Sequence, residues 1–81
     1  MILEHAILDV VPGREADFQK AFASATAIIS SMPGFNTLVL RRSVETPSRF
    51  LLLVEWSRLE DHMEGFRGSP QYEGWKQLLH H

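Results

Sequence analysis

The run Phe50-Leu51-Leu52-Leu53-Val54 constrains this chain more than any other feature. Side chains on a strand point alternately to opposite faces, so a strand with one wet face alternates apolar and polar residues. A strand that is apolar throughout is buried on both faces. The chain has only 81 residues. A domain of that size buries roughly 60–65% of the surface its unfolded chain exposes, and its core is thin. Helices can cover one face of such a sheet, and little chain remains to cover the other. The expectation is a homodimer through the sheet face, one copy against the other around a two-fold axis. The alternative is that part of the run is simply left exposed, as single apolar residues often are.

The rest of the chain supplies elements to set around that strand. Residues 2–11 are rich in Ile, Leu and Val and read as a strand, ended by Pro12-Gly13. From Arg14 the period changes: Phe18, Phe22, Ala25 and Ile29 recur at helical spacing, joined by Ala21, Ile28 and Met32. Glu15 and Asp17 in the first turn suit the helix dipole, and Pro33-Gly34 stops the helix after about Ser31. Residues 35–43 form a second strand, with Leu38 and Leu40 on one face and Thr37, Val39 and Arg41 on the other. The turn Glu45-Thr46-Pro47-Ser48 makes an antiparallel hairpin of it with residues 49–56. Ser57 and Glu60 have the spacing of a capping box and predict a second helix, with Leu59, Met63 and Phe66 as its apolar stripe. Gly68-Ser69-Pro70 interrupts it, and Ser69 with Pro70 restarts a third helix that buries Tyr72, Trp75 and Leu79. The order β-α-β-β-α-α is a ferredoxin-like α+β plan over residues 1–81 as a single domain, an antiparallel sheet with its helices on one face. The final strand of that plan is missing from the reading, either trimmed or dispensed with.

Several function classes are excluded. The net charge is −2 and Lys/Arg are scattered, so the chain lacks the cationic footprint of a nucleic-acid binder. Cysteine is absent, which removes disulfides, thiolate nucleophiles and Cys-based metal sites. Glu4 and Asp9 break the N-terminal apolar run, so it does not read as a signal peptide, and nothing approaches the ~20 apolar residues of a membrane span. A cytoplasmic protein without membrane partners is expected. No Gly-rich phosphate loop, Gly-x-Ser-x-Gly elbow or His-x-x-x-His pair is present. His80-His81 reads either as a metal-ligand pair or as a frayed terminus, and no other ligand stands at supporting spacing. No metal and no cofactor are expected.

The motifs in succession are Ile2-Leu3-Glu4-His5-Ala6-Ile7-Leu8, Pro12-Gly13, the Phe18/Phe22 helix, Met32-Pro33-Gly34-Phe35, Val54-Glu55-Trp56-Ser57 and Ser69-Pro70-Gln71-Tyr72. The chain thereby resembles the antibiotic biosynthesis monooxygenase family of dimeric α/β barrels over nearly its whole length. The resemblance implies that fold and a range of activities. Some such proteins oxidise quinols or polyketide phenols with O₂ and no bound cofactor, others degrade haem, and many have no assigned reaction. Trp56 matches the family's tryptophan after the third strand. Where haem-degrading members carry a histidine ahead of the Ser-Pro pair this chain has Phe66, and their first-strand asparagine falls near His5 or Ala6. Both departures argue against haem degradation.

The implied reaction is a cofactor-independent monooxygenation of a small quinol or polyphenol-type aromatic in a pocket between sheet and helices. It needs an apolar cavity, a base, and donors that steady an anion. Histidine is the natural base. His62 reads either as that base, pointing beneath the second helix, or as a surface histidine between Asp61 and Glu64. His5 shares a strand face with Leu3 and Ile7 and reads either as a cavity residue or as a packed core histidine. Trp56, Phe66 and Tyr72 are the candidate substrate-binding residues, and each is also a packing residue. The alternative function is a non-catalytic small-ligand-binding or stress-response module on the same fold.

Overall fold

The computed structural model describes residues 1–79. In chain order it contains β1 (Ile2–Asp9), α1 (Glu15–Ser30), β2 (Phe35–Arg42), β3 (Arg49–Trp56), a π-helix (Asp61–Phe66) and α2 (Pro70–Leu79). The strands form an antiparallel sheet in the order β1-β3-β2, which does not close on itself. This is a ferredoxin-like α+β fold, as the element order predicts. The most apolar strand takes the centre, where both of its edges are hydrogen-bonded.

Register fixes which residues share a face. Ala6 stands opposite Leu52 and Leu8 opposite Phe50 on one side of β3, and Leu38 and Leu40 stand opposite Val54 and Leu52 on the other. These residues face the helices. Phe50, Leu52, Val54 and Trp56 are all buried there, Trp56 and Val54 completely. The alternate residues His5, Ile7, Val39, Leu51 and Leu53 lie on the opposite face, which no element among the described residues covers. Leu3, Ile7 and Leu51 are exposed there.

The helix α1 packs through the predicted stripe: Phe18, Phe22, Ala25 and Ile29 are its buried residues. The Phe18 ring meets Phe50 at 4.8 Å between centroids, and Phe22 meets Trp75 of α2 at 5.9 Å. Burying each such side chain contributes about 1.5–3 kcal/mol. Two glycines make the turns at the ends of α1. Gly13 and Gly34 have φ of 94° and 84°, a left-handed conformation that costs a residue with a Cβ.

Two local expectations are corrected. Ser57 and Glu60 do not form the capping box: Ser57 Oγ accepts from Asn36 Nδ2 at 3.2 Å, and its N–H donates to Gly34 O at 2.8 Å. The segment after β3 winds as a π-helix, with the Arg67 N–H donating to His62 O five residues back. The wider turn shifts the stripe. Phe66 remains buried, but Leu59 and Met63 are exposed, and His62 takes the inward position. The His80-His81 pair lies outside the described residues.

Candidate functional site

Three elements converge at one end of the helix-covered face. The first is β1, where alternation turns Glu4, Ala6 and Leu8 inward. Glu4 is thus an acid in an otherwise apolar row. The second is the end of β3, where Trp56 is fully buried, its ring 6.1 Å from Phe35 in edge contact. The third is the π-helix, which sets His62 5.8 Å and Phe66 5.7 Å from the Trp56 ring, centroid to centroid. A π-turn inside a helical segment is uncommon and is found most often at functional sites. Gly34 permits it to approach, since a Cβ there would overlap the Asp61 carboxylate. Arg58 holds that carboxylate from the other side at 3.4 Å.

Glu4 links the three. Its Oε1 accepts a hydrogen bond from Trp56 Nε1 at 3.1 Å and lies 3.2 Å from His62 Nδ1. Trp56 has only this one polar atom, and a buried N–H without an acceptor would cost about 1–3 kcal/mol, so the contact also holds the carboxylate in place. His62 Nδ1 is buried at ion-contact distance from Glu4 but off the line of a hydrogen bond. The His62 side chain is 13% exposed and that of Glu4 25%, so both are partly withdrawn from water.

Beside this group a cleft of about 860 Å³ opens between β1 and α2. That is within the range of small-molecule sites. Ala6, Leu8, Leu52 and Ile29 line its apolar side, Phe66, Tyr72 and Trp75 form an aromatic wall, and Glu4, His5, His62, Arg67 and Lys76 are the charged or titratable groups around it. Phe66 is wedged between Tyr72 at 5.2 Å and Trp75 at 5.7 Å, edge-on to both. Ser69 Oγ donates to Phe66 O at 2.6 Å, closing the turn into α2.

Of the residues singled out in the sequence, His62, Phe66 and Tyr72 come together on the cleft wall. Trp56 stands behind them and meets the site through Glu4 rather than through the cleft. Alternation along β1 sets His5 with Leu3 and Ile7, opposite Leu53, yet His5 also lines the cleft, at the edge of the sheet. Glu4 was the residue that sequence reasoning passed over. The signal available was its place in the row with Ala6 and Leu8. Among the described residues, no three His, Asp or Glu side chains cluster as metal ligands. No helix there is long and apolar enough to cross a membrane.

The chain belongs to the antibiotic biosynthesis monooxygenase family, whose model matches residues 1–78. It is 50% identical over 80 residues to the uncharacterized protein YczJ of Bacillus subtilis strain 168, covering 99% of this chain and 84% of that protein. It is also similar to the crystal structure of a candidate antibiotic biosynthesis monooxygenase from Bordetella bronchiseptica. There the TM-score is 0.91 at 38% identity, over 95% of this chain and 79% of the other. A conserved protein from Methanosarcina mazei Go1 shares the fold, with a TM-score of 0.79 at 19% identity over 95% of this chain and 75% of that one.

Proposed function

We propose that residues 1–81 act as one domain that binds a small quinol or polyphenol-type aromatic in the cleft and oxidises it with O₂. The observation that carries this reading is the Trp56–Glu4–His62 group on the wall of an apolar, aromatic-lined cleft. Family membership supports the same class of chemistry. His62 is the base. Its Nδ1 is turned to Glu4, so Nε2 is the nitrogen that accepts the phenolic proton. Glu4 orients the ring and stabilises the imidazolium that results, and Trp56 Nε1 keeps Glu4 in position. Phe66 and Tyr72 hold the substrate ring.

The electrons come from the substrate. Removal of the phenolic proton raises the ring's electron density, and the anion reduces O₂. One oxygen atom replaces the hydrogen on a hydrogen-bearing ring carbon ortho or para to the hydroxyl, giving a quinone. The other leaves as water with the two hydrogens lost from the phenol. The protein's part is to desolvate the anion and hold a proton acceptor against it.

The open sheet face supports a homodimer, since Leu3, Ile7, Val39, Leu51 and Leu53 together make an apolar patch of the kind that marks an interface. His5 borders both that patch and the cleft, and is the second candidate base. A cytoplasmic location fits a chain with no cysteine. One observation favours a non-catalytic binding module instead: Phe66 fills its position by packing between Tyr72 and Trp75 and offers no proton acceptor. Oxygen uptake decides between the two. Without added cofactor, the protein is expected to accelerate O₂ consumption with naphthoquinols or anthrones, and His62→Ala to abolish most of that increment. Uptake no faster than autoxidation across such a panel, with ligand still bound, would establish the binding module.

A further inference from the structure

We infer that the cleft takes an anionic aromatic, one that carries a carboxylate or similar acid at the end opposite its phenolic hydroxyl. This rests on the reading of the cleft as an aromatic-binding site and adds the charge of the ligand to it.

The inference starts from the distribution of charge around the cleft. The wall at β1 and the π-helix carries Glu4 and His62, and the acid is already engaged by Trp56 Nε1. His5 and Tyr72 also line the cleft, and the two remaining ionisable groups, Arg67 and Lys76, are both cations. Both lie against the Tyr72 ring: the Arg67 guanidinium is 6.0 Å and Lys76 Nζ 5.4 Å from its centroid. Tyr72 is thus a platform with two positive charges beside it. Phe66, edge-on beneath it, fixes its plane.

The two cations differ in what they already do. Lys76 is in contact with Glu73 at 3.4 Å, an exposed pair one turn apart. Arg67 makes no ion pair among the described residues; its guanidinium has only the Tyr72 ring. A guanidinium presents a rigid fork of N–H donors matched to a planar acid, and stacking on an aromatic ring leaves that fork available. Arg67 also directly follows the π-helix, and its backbone N–H is bonded to His62 O at 3.1 Å. The backbone that carries the acid-binding cation is therefore tied to the backbone that carries the base. A ligand with its phenol at His62 and its acid at Arg67 spans the aromatic wall between them. An acid directed the opposite way would meet the Glu4 carboxylate.

The test is a binding titration under argon, so that no turnover is involved. Hydroxynaphthoate and its uncharged hydroxynaphthamide are each followed by quenching of Trp75 and Trp56 fluorescence. The acid is expected to bind about tenfold tighter than the amide, and the gap to narrow as salt screens the charges. Arg67→Gln should weaken the acid by about five- to tenfold and leave the amide within about twofold, with Arg67→Lys recovering part of the loss. Lys76→Gln should have the smaller effect, because Glu73 already shares that charge. Equal binding of acid and amide would overturn the charge preference while leaving an aromatic site. Equal weakening of both by Arg67→Gln would reduce Arg67 to a packing role on Tyr72. Failure of the acid to bind would overturn this inference, whereas absence of oxygen uptake would bear only on the oxidation.

Discussion

The two faces of the sheet are built from the same three strands and do opposite things. On the helix side, Phe50, Leu52, Val54 and Trp56 are buried against α1 and the π-helix, and the row from β1 includes an acid, Glu4. On the other side, Leu51, Leu53, Val39, Leu3 and Ile7 form an apolar surface whose ends are polar: Thr37 Oγ1 donates to Glu55 Oε1 at 2.8 Å, and Asp9 pairs with Arg49 at 2.8 Å. The covered face holds a polar group inside an apolar setting. The open face holds an apolar patch inside a polar rim. The first arrangement suits a candidate site, and the second is a candidate interaction surface.

The contrast can be broken from either side. The largest effect should come from Trp56→Ala, which removes a fully buried ring together with the donor to Glu4. A loss of about 3–5 kcal/mol is expected in urea unfolding, a large fraction of the stability of a domain this small. Retention of near-native stability would mean that the covered face is not the core. Leu51→Glu on the open face should leave the chain folded by circular dichroism. Self-association, followed by sedimentation, should weaken by about a hundredfold, or ~3 kcal/mol, because a charge would be desolvated at the interface. A variant that associates as well as the parent would remove the open face from the dimer.

Smaller changes sharpen the comparison. Gly34→Ala forces a Cβ into a left-handed turn and against Asp61, and should cost about 1–3 kcal/mol. Because Asp61 opens the π-helix, ligand affinity should fall in that variant as well, which Gly13→Ala, with open space around it, should not reproduce. Glu4→Gln keeps an oxygen for Trp56 and removes the charge opposite His62. Turnover should drop by about ten- to a hundredfold while stability moves by less than about 1 kcal/mol. Unchanged turnover would leave Glu4 a structural partner of Trp56 alone.

The fold could be read in the sequence wherever periodicity governs. The α1 stripe from Phe18 to Ile29, the central position of the apolar strand and the hairpin about Thr46-Pro47 follow from spacing and turn chemistry. The site was legible only in part. His62, Phe66 and Tyr72 stood out as residue types, but which side of the helix they shared depended on the π-winding, which has no composition signal. An α-helical reading turns Met63 inward where the π-helix turns His62. Glu4 escaped notice because its hydrogen-bond partner is 52 residues away. Strand alternation gave its face, and only the packed tertiary structure supplied Trp56 and His62.

The central claim is that the covered face carries out the oxidation and His62 is its base. Turnover of a polyphenol under heavy-isotope O₂, with mass analysis of the product, tests it most directly when the protein, His62→Ala and Leu51→Glu are run side by side. The expected result is one labelled oxygen atom in each quinone formed by the parent, with no added reductant. His62→Ala should fall to the autoxidation rate, and folded Leu51→Glu should retain more of the activity. Unlabelled product, or equal yields from the parent and His62→Ala, would contradict it.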